Sequence, residues 1–394
     1  MQVSRKALDV KPSSTLAISA KAKQLKANGK DVIDFSAGEP DFPTPDYVCD
    51  AARQAIAQGR TKYTATPGIP ELRAAIANRV ARDYGFTWAP EKYVVTSGAK
   101  HAIYLALLAL VNPGDEVLIP APYWVSYPPQ VTLCDAVPVI LPTKGEDGFL
   151  ITPTQLRAAI TPRSRVLILN SPSNPTGAVY SRAQLEALAD VVKETGLVVI
   201  CDDIYEKLIY DGAAFASMAQ IERVRSQCVL INGVSKCASM PGWRIGYVGA
   251  EDEAVVKAIT RLQGQMTSHA TSISQYAALA ALSGTQPELT GWVAEFEARR
   301  NRICQLFNEI PGLSISTPGG AFYAFVDWRG QLGREIGGRV LIDDAAWADY
   351  LLDEALVAAV PGAGFGAPGY MRFSFALALS DIERGLARIK EAMK

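Results

Sequence analysis

RVLILNSPSNPTGAVYSRAQLEALADVVKETGLVVICDD, residues 165–203, shows the organisation of the chain in miniature. RVLILN (165–170) is an apolar, β-rich run, SPSNPTG is a turn built from Ser, Pro, Asn and Gly, and SRAQLEALADVVKE (181–194) has the Ala and Leu spacing of a helix. LVVICD (197–202) is then a second β-rich run. The alternation extends outward from about residue 90 to 260, with strands expected at YVVT (93–96), EVLIP (116–120), VPVIL (137–141), CVLIN (228–232) and RIGYVGA (244–250). AKHAIYLALLALV (99–111) is a further helix candidate. Such alternation argues for an α/β core, in which ligands collect at the carboxyl ends of the strands. NPGD, APYW, SPSNPTG and MPGW mark those loops. The C-terminal third reads differently. A long helical stretch, 288–310, precedes two short alternating strands, GGAFYAFV and YMRFSFAL, as in a smaller α+β domain against which the N-terminal segment is expected to pack.

Composition narrows the function classes. The 394 residues are 49% hydrophobic and 20% charged, as in an ordinary globular protein. With 39 basic and 40 acidic residues the net charge is −1, which favours neither nucleic acid nor an anionic membrane as partner. Six cysteines without a CxxC pair and two histidines argue against zinc and for reduced thiols. The longest apolar run, Ile103 to Val111, is far short of the roughly 20 residues of a membrane span. The N-terminus has no continuous apolar segment of a signal peptide, so the expected location is cytoplasmic.

The chemistry centres on GVSKCASMPGWRIGY (233–247), where Lys236 follows a strand and sits among Gly, Pro and Trp with few other charges. That is an unusual setting for a solvated surface lysine. TSGAKHAIY (96–104) runs from strand into helix and offers the backbone N–H groups of Gly98, Ala99 and Lys100 at a helix N-terminus, a favourable place for an anion.

SK-x4-PGWRIGY resembles the signature of class I, fold-type I aminotransferases, enzymes that use pyridoxal 5'-phosphate (PLP). The resemblance runs from KPSSTLAIS to the C-terminal helix and is closest to the bacterial aspartate/prephenate branch. It implies a mostly parallel seven-stranded sheet flanked by helices in a large PLP-binding domain, 46–290. A small domain would be formed by 1–45 and 291–394. Lys236 would form the Schiff base and act as general base, and Arg244 would grip the cofactor phosphate, with Ser235 beside it. Gly98, Ala99 and Lys100 would lie in the same phosphate cup. ICDDIYEKLIY matches the family's D-x-x-Y: Asp202 would hold the pyridinium nitrogen and Tyr205 the ring's phenolate oxygen. Asp203 is expected to be a solvated or loop-capping acid. In SPSNPTG, Asn174 would meet the phenolate oxygen and the substrate. In APYWVSY, Trp124 would stack on the ring, with Tyr123 and Tyr127 as packing residues. Tyr63 would reach the phosphate of a partner subunit, so the resemblance implies a homodimer.

For the substrate, FSAGEPDFPTP places Gly38 in a covering segment, and YMRFSFA places Arg372 where the family clamps the α-carboxylate. Residues 263–268 lack the arginine with which animal-type aspartate enzymes hold the distal carboxylate, leaving Lys100, or else Lys11, for that role. Departures from the family pattern are SGAK, Cys237-Ala238 and Pro241, all expected to bear on substrate. The implied activity is amino transfer between aspartate and 2-oxoglutarate by ping-pong half-reactions. Prephenate/arogenate, aromatic or specialised donors are the alternative, as is a PLP lyase or decarboxylase on the same fold.

Overall fold

A computed structural model of the chain describes residues 1–10 and 14–394. The main sheet has seven strands: β1 Tyr93–Thr96, β2 Glu116–Ala121, β3 Val137–Pro142, β4 Ser164–Asn170, β5 Val198–Asp202, β6 Cys228–Gly233 and β7 Gly246–Ala250. Their order is β1-β7-β6-β5-β4-β2-β3. Strand β7 runs antiparallel to β1 and β6, and the other pairs are parallel.

The strands read as apolar runs because helices cover both faces of the sheet. Along β1, Val94 faces the helices Ala99–Leu110 and Glu253–Met266, while Tyr93 and Val95 face Pro70–Tyr84 and Ser272–Ser283. Arg182–Thr195 on that second side shows how the sequence delimits such a helix. Ser181 and Gln184 form a capping box, Gly196 closes the helix in the left-handed conformation, and Leu185, Leu188 and Val192 face the core. Burying each leucine contributes about 2 kcal/mol, and Leu188→Ala would cost about 2–5 kcal/mol through the cavity it leaves. At the edge, β3 exposes Val137 and Ile140 and carries Pro138 and Pro142, which block pairing with another strand.

A second, antiparallel sheet has the order Val360–Pro361, Tyr370–Ser374, Tyr323–Asp327, Ser314–Ile315. Its core includes Trp328 stacked on Trp347 at 5.2 Å. The N-terminal segment meets this part of the chain: Ile33–Asp34 pairs in parallel with Val357–Ala358, and the Ser374 N–H donates to the Phe35 carbonyl at 2.8 Å. One strand is shorter than expected. RIGYVGA enters the sheet only at Gly246, because Arg244 adopts a left-handed conformation, φ 55°. Among the described residues, no helix is long and apolar enough to cross a membrane.

Candidate active site

The carboxyl ends of β4, β5 and β6 open into a cleft of about 570 Å³, with the start of helix Ala99–Leu110 on one wall. The second sheet contributes Tyr323 and Arg372, and residues 36–39 run along the mouth. Gly38, Ala99, Lys100, Trp124, Asn174, Asp202, Tyr205, Ser235, Lys236, Arg244 and Arg372 all line this one space. Tyr63 does not. It is 90% exposed, with its ring edge-on to His269 at 5.6 Å. Lys11 lies outside the described residues.

Lys236 follows β6 directly. Its Nζ donates to the Gly38 carbonyl and lies 5.7 Å and 5.4 Å from the ring centres of Tyr205 and Phe322. Burial among these walls lowers its pKa from the ordinary 10.5 to about 8; Glu39 and Asp202 oppose that shift, and Arg372 and Arg244 add to it. Such an amine has a usable neutral fraction near neutral pH, which nucleophilic or general-base chemistry needs. Asp202, the last residue of β5, is pushed the other way. Burial raises it to about 6, against the hydrogen bond from Tyr127 Oη to Oδ2 at 2.5 Å, the Ile204 N–H and the charge of Lys236. A carboxylate so placed is stabilised by any cation brought against it.

An anion site lies at the helix start. The Ala99 and Lys100 N–H groups have no acceptor among the described residues. The Gly98 N–H, expected to join them, does not: at φ 89° it turns back and donates to the Thr96 carbonyl at 2.8 Å. Gly98 serves the site by lacking a side chain. A Cβ there would stand 2.4 Å from Arg244 Nη2, so glycine lets the guanidinium lie against the backbone. Gly246 does the same for the helix, since its Cβ would fall 2.4 Å from the Ala99 nitrogen. Arg244 is exposed to the cleft and fixed by Nη1 to the Pro241 carbonyl at 2.9 Å, and Lys100 Nζ sits 4.9 Å from the Trp124 ring centre.

Arg372 is 2% exposed, yet its partners are neutral: Nη1 donates to Asn174 Oδ1 at 3.0 Å and Nη2 to the Ser36 carbonyl at 2.8 Å. Nε has no partner. No carboxylate lies within ion-pair distance of it among the described residues, and burial lowers its pKa. A buried guanidinium without an acid is costly unless an anion joins it. The Tyr323 ring lies under it, 4.5 Å from Cζ, and Tyr323 Oη is 2.8 Å from Tyr205 Oη. This arrangement can bind a carboxylate at Arg372 and a second anion near Arg244. It can also transfer a proton at Lys236.

Sequence reasoning passed over two residues of the cleft. Tyr127 packs in the core as expected and is also the hydrogen-bond donor to Asp202, and Tyr323 joins Tyr205 to Arg372. The period-2 pattern of GGAFYAFV carries the second signal, since it sends Tyr323 and Phe325 to one face and Phe322 and Ala324 to the other. Two readings are corrected. Asp203 is not solvated: it is buried beside Ser217 and Tyr84, where burial and the neighbouring acids Asp202 and Glu206 raise its pKa strongly. Cys237 and Ala238 do not line the cleft, because both turn into the core; Cys237 Sγ donates to the Gly233 carbonyl at 3.4 Å. Of the departures that follow the lysine, only Pro241 lines the cleft.

Known proteins carry the same sequence pattern. The family model described as aminotransferase class I and II matches residues 30–389. An aspartate aminotransferase of Geobacillus stearothermophilus is 46% identical over 395 residues, covering 100% of this chain and 99% of the relative. An aspartate/prephenate aminotransferase of Cereibacter sphaeroides is 47% identical, with 97% and 96% covered. Among solved structures, the aspartate aminotransferase of Thermus thermophilus with maleate superposes with a TM-score of 0.93 at 38% identity, covering 100% of both chains. Matched over most of its length by the family and end to end by such relatives, this chain belongs to the class I and II aminotransferases.

Proposed function

We propose that this aminotransferase holds PLP and moves an amino group between aspartate and 2-oxoglutarate in two half-reactions, as a cytoplasmic homodimer. The observation that carries the reading is Arg372, a buried guanidinium held only by neutral groups and facing the lysine's cleft. The relatives named for aspartate and the structure titled with maleate, a dicarboxylate, support an acid with two carboxylates.

The donor set fits PLP. Arg244 and the Ala99 and Lys100 N–H groups would hold the phosphate, Asp202 the ring nitrogen, Tyr205 and Asn174 the phenolate oxygen, and Trp124 one ring face. The Arg244 guanidinium against Gly98 is the cradle a side chain there would fill. Bound here, PLP would supply an aldehyde to take the amino group and a ring to store the electron pair released at the substrate Cα.

The chain supplies the rest. Arg372 pairs with the α-carboxylate through two parallel bonds and fixes the direction of the Cα–H. Lys236 takes that proton and returns it on the other side of the transferred group. Asp202 remains ionised, steadied by Tyr127, and so holds positive charge on the ring nitrogen. Lys100 takes the distal carboxylate; Gly38 accepts from Lys236 and covers it. Residues 46–290 form the cofactor-binding unit, and 1–45 with 291–394 the unit that brings Arg372 over it. Tyr63, exposed on its own chain, completes the phosphate site of a second copy.

Prephenate is the second reading, favoured by the relative named for both substrates. The test is a half-reaction screen of the PLP-loaded protein, following cofactor absorbance as each amino donor is added. Aspartate and glutamate are expected to convert the spectrum. A spectrum unchanged by both would overturn the assignment, and conversion by arogenate alone would favour the second reading.

A further inference from the structure

Behind the cleft, on the opposite side of the turn that follows β5, lies a buried cluster that the reaction does not use. Arg79, on helix Pro70–Tyr84, is 2% exposed and pairs through Nη2 with Glu206 Oε1 at 2.5 Å. Its Nη1 donates to Gln286 Oε1 at 3.1 Å, and Gln286 in turn donates through Nε2 to the Cys237 carbonyl at 3.2 Å. Glu206 and Gln286 are buried too. None of these four side chains lines the cleft.

The two arms of Arg79 end at two separate pieces of the active site. Glu206 closes the turn that begins at Asp202: its N–H donates to the Asp203 carbonyl at 3.0 Å, and the Asp203 N–H donates to Ile231 of β6 at 3.0 Å. That turn carries Asp202 and Tyr205. Cys237 adjoins Lys236. One guanidinium therefore braces the acid and the lysine against each other from behind, where water does not reach. The fork suits this task, because its donors lie in one plane at fixed angles and a shift of either segment breaks a bond.

The cluster is also more polar than stability alone requires. Among the described residues Glu206 Oε2, Asp203 Oδ2 and Tyr247 Oη are buried without partners, and on the outer side Asp83 pairs with Arg79 at 3.6 Å and with Lys207 at 2.7 Å. Buried ion pairs of this kind are often replaceable by apolar residues with no loss of stability, so their retention calls for another role.

The geometry points to Arg79 as a positioning residue for Lys236 and for the turn that carries Asp202 and Tyr205. Losing the brace lets the lysine relax away from Gly38, toward the behaviour of an ordinary amine. Of its charged neighbours in the cleft, Glu39, Arg244 and Arg372 are not held by the brace, whereas Asp202 shifts with its turn.

The inference rests on the PLP reading, and the experiment separates the two. In the double variant Arg79→Met/Glu206→Leu both charges leave together. Three quantities are measured on the PLP-loaded protein: the melting temperature, the pH midpoint of the absorbance of Lys236-bound PLP, and kcat and KM for aspartate. The expected result is a melting temperature near that of the parent, a midpoint raised by about one pH unit, and a kcat lowered about 10- to 100-fold with KM little changed. A double variant that melts, titrates and turns over as the parent does would show that the cluster only holds the fold. Should that variant fail to fold, Gln286→Met keeps the ion pair and cuts only the arm to Cys237. A raised midpoint supports the assignment, and the parent midpoint overturns it. If the parent protein itself shows no PLP-dependent absorbance, it is the cofactor reading that fails.

Discussion

Arg79 and Arg372 are both 2% exposed, and they stand on opposite sides of the same active-site segments in opposite electrostatic conditions. Arg79 meets carboxylates at 2.5 Å and 3.6 Å and an amide at 3.1 Å. Arg372 meets an amide and a backbone carbonyl, and among the described residues its Nε meets nothing. The first charge is neutralised within the fold, whereas the second has no acid within ion-pair distance among the described residues and faces a cleft. The difference separates an arginine whose charge is satisfied within the fold from one that awaits an anion.

Exchanging each for methionine breaks this comparison most directly. Arg372→Met is expected to lower kcat/KM for aspartate by about 10²- to 10³-fold, the cost of removing one partner of a desolvated charge pair. The melting temperature should hold or rise, because no acid loses its partner. Arg79→Met leaves Glu206 buried and uncompensated, and should cost about 3–5 kcal/mol of stability. Urea denaturation and steady-state kinetics on both variants check this; a destabilised Arg372→Met would mean that its role is structural.

Asp202 sharpens the contrast from the acid side. Its folded-state pKa of about 6 lies above the ordinary 3.8, so between those values the folded, cofactor-free protein keeps a proton that the unfolded chain has released. Ionisation therefore costs stability as pH rises through that window, in full above it. Asp202→Asn should stabilise the cofactor-free protein above pH 6 by on the order of 3 kcal/mol and make no difference below about pH 4. Thermal melts across pH read the result, and a variant no more stable at pH 7 would contradict it.

Tyr127→Phe removes the donor that steadies Asp202. We expect kcat to fall about 30-fold with the fold intact, as for loss of a hydrogen bond to a charged group. A kcat within twofold of the parent would return Tyr127 to packing. The smallest effect is expected at Tyr63→Phe, with PLP affinity weakened about tenfold if the hydroxyl meets a phosphate. Equilibrium dialysis measures it, and unchanged affinity would remove Tyr63 from the site.

Much of this was legible in the sequence. All seven strands of the main sheet follow apolar runs bounded by Gly and Pro, because a sheet covered on both faces leaves little ambiguity of pattern. The gathering of Lys236, Asp202, Asn174 and Arg372 followed from motifs. Orientation was harder to read. Asp202 faces the cleft and Asp203 the buried cluster, and Lys236 and Cys237 divide in the same way, so adjacency in sequence was a poor guide to adjacency in the site. The Arg79 brace joins residues 79, 206, 237 and 286, which no local pattern connects. The Gly98 amide was misread because its direction depends on a positive φ that the residue type permits but does not dictate.

The central claim is that Lys236 carries the cofactor in a cleft whose charges are arranged around it. Its most direct test is borohydride reduction of the PLP-loaded protein, followed by proteolysis and mass spectrometry. A phosphopyridoxyl group is expected on the peptide containing Lys236, absent from that peptide when aspartate is added before reduction. A label on another lysine, or none, would contradict it.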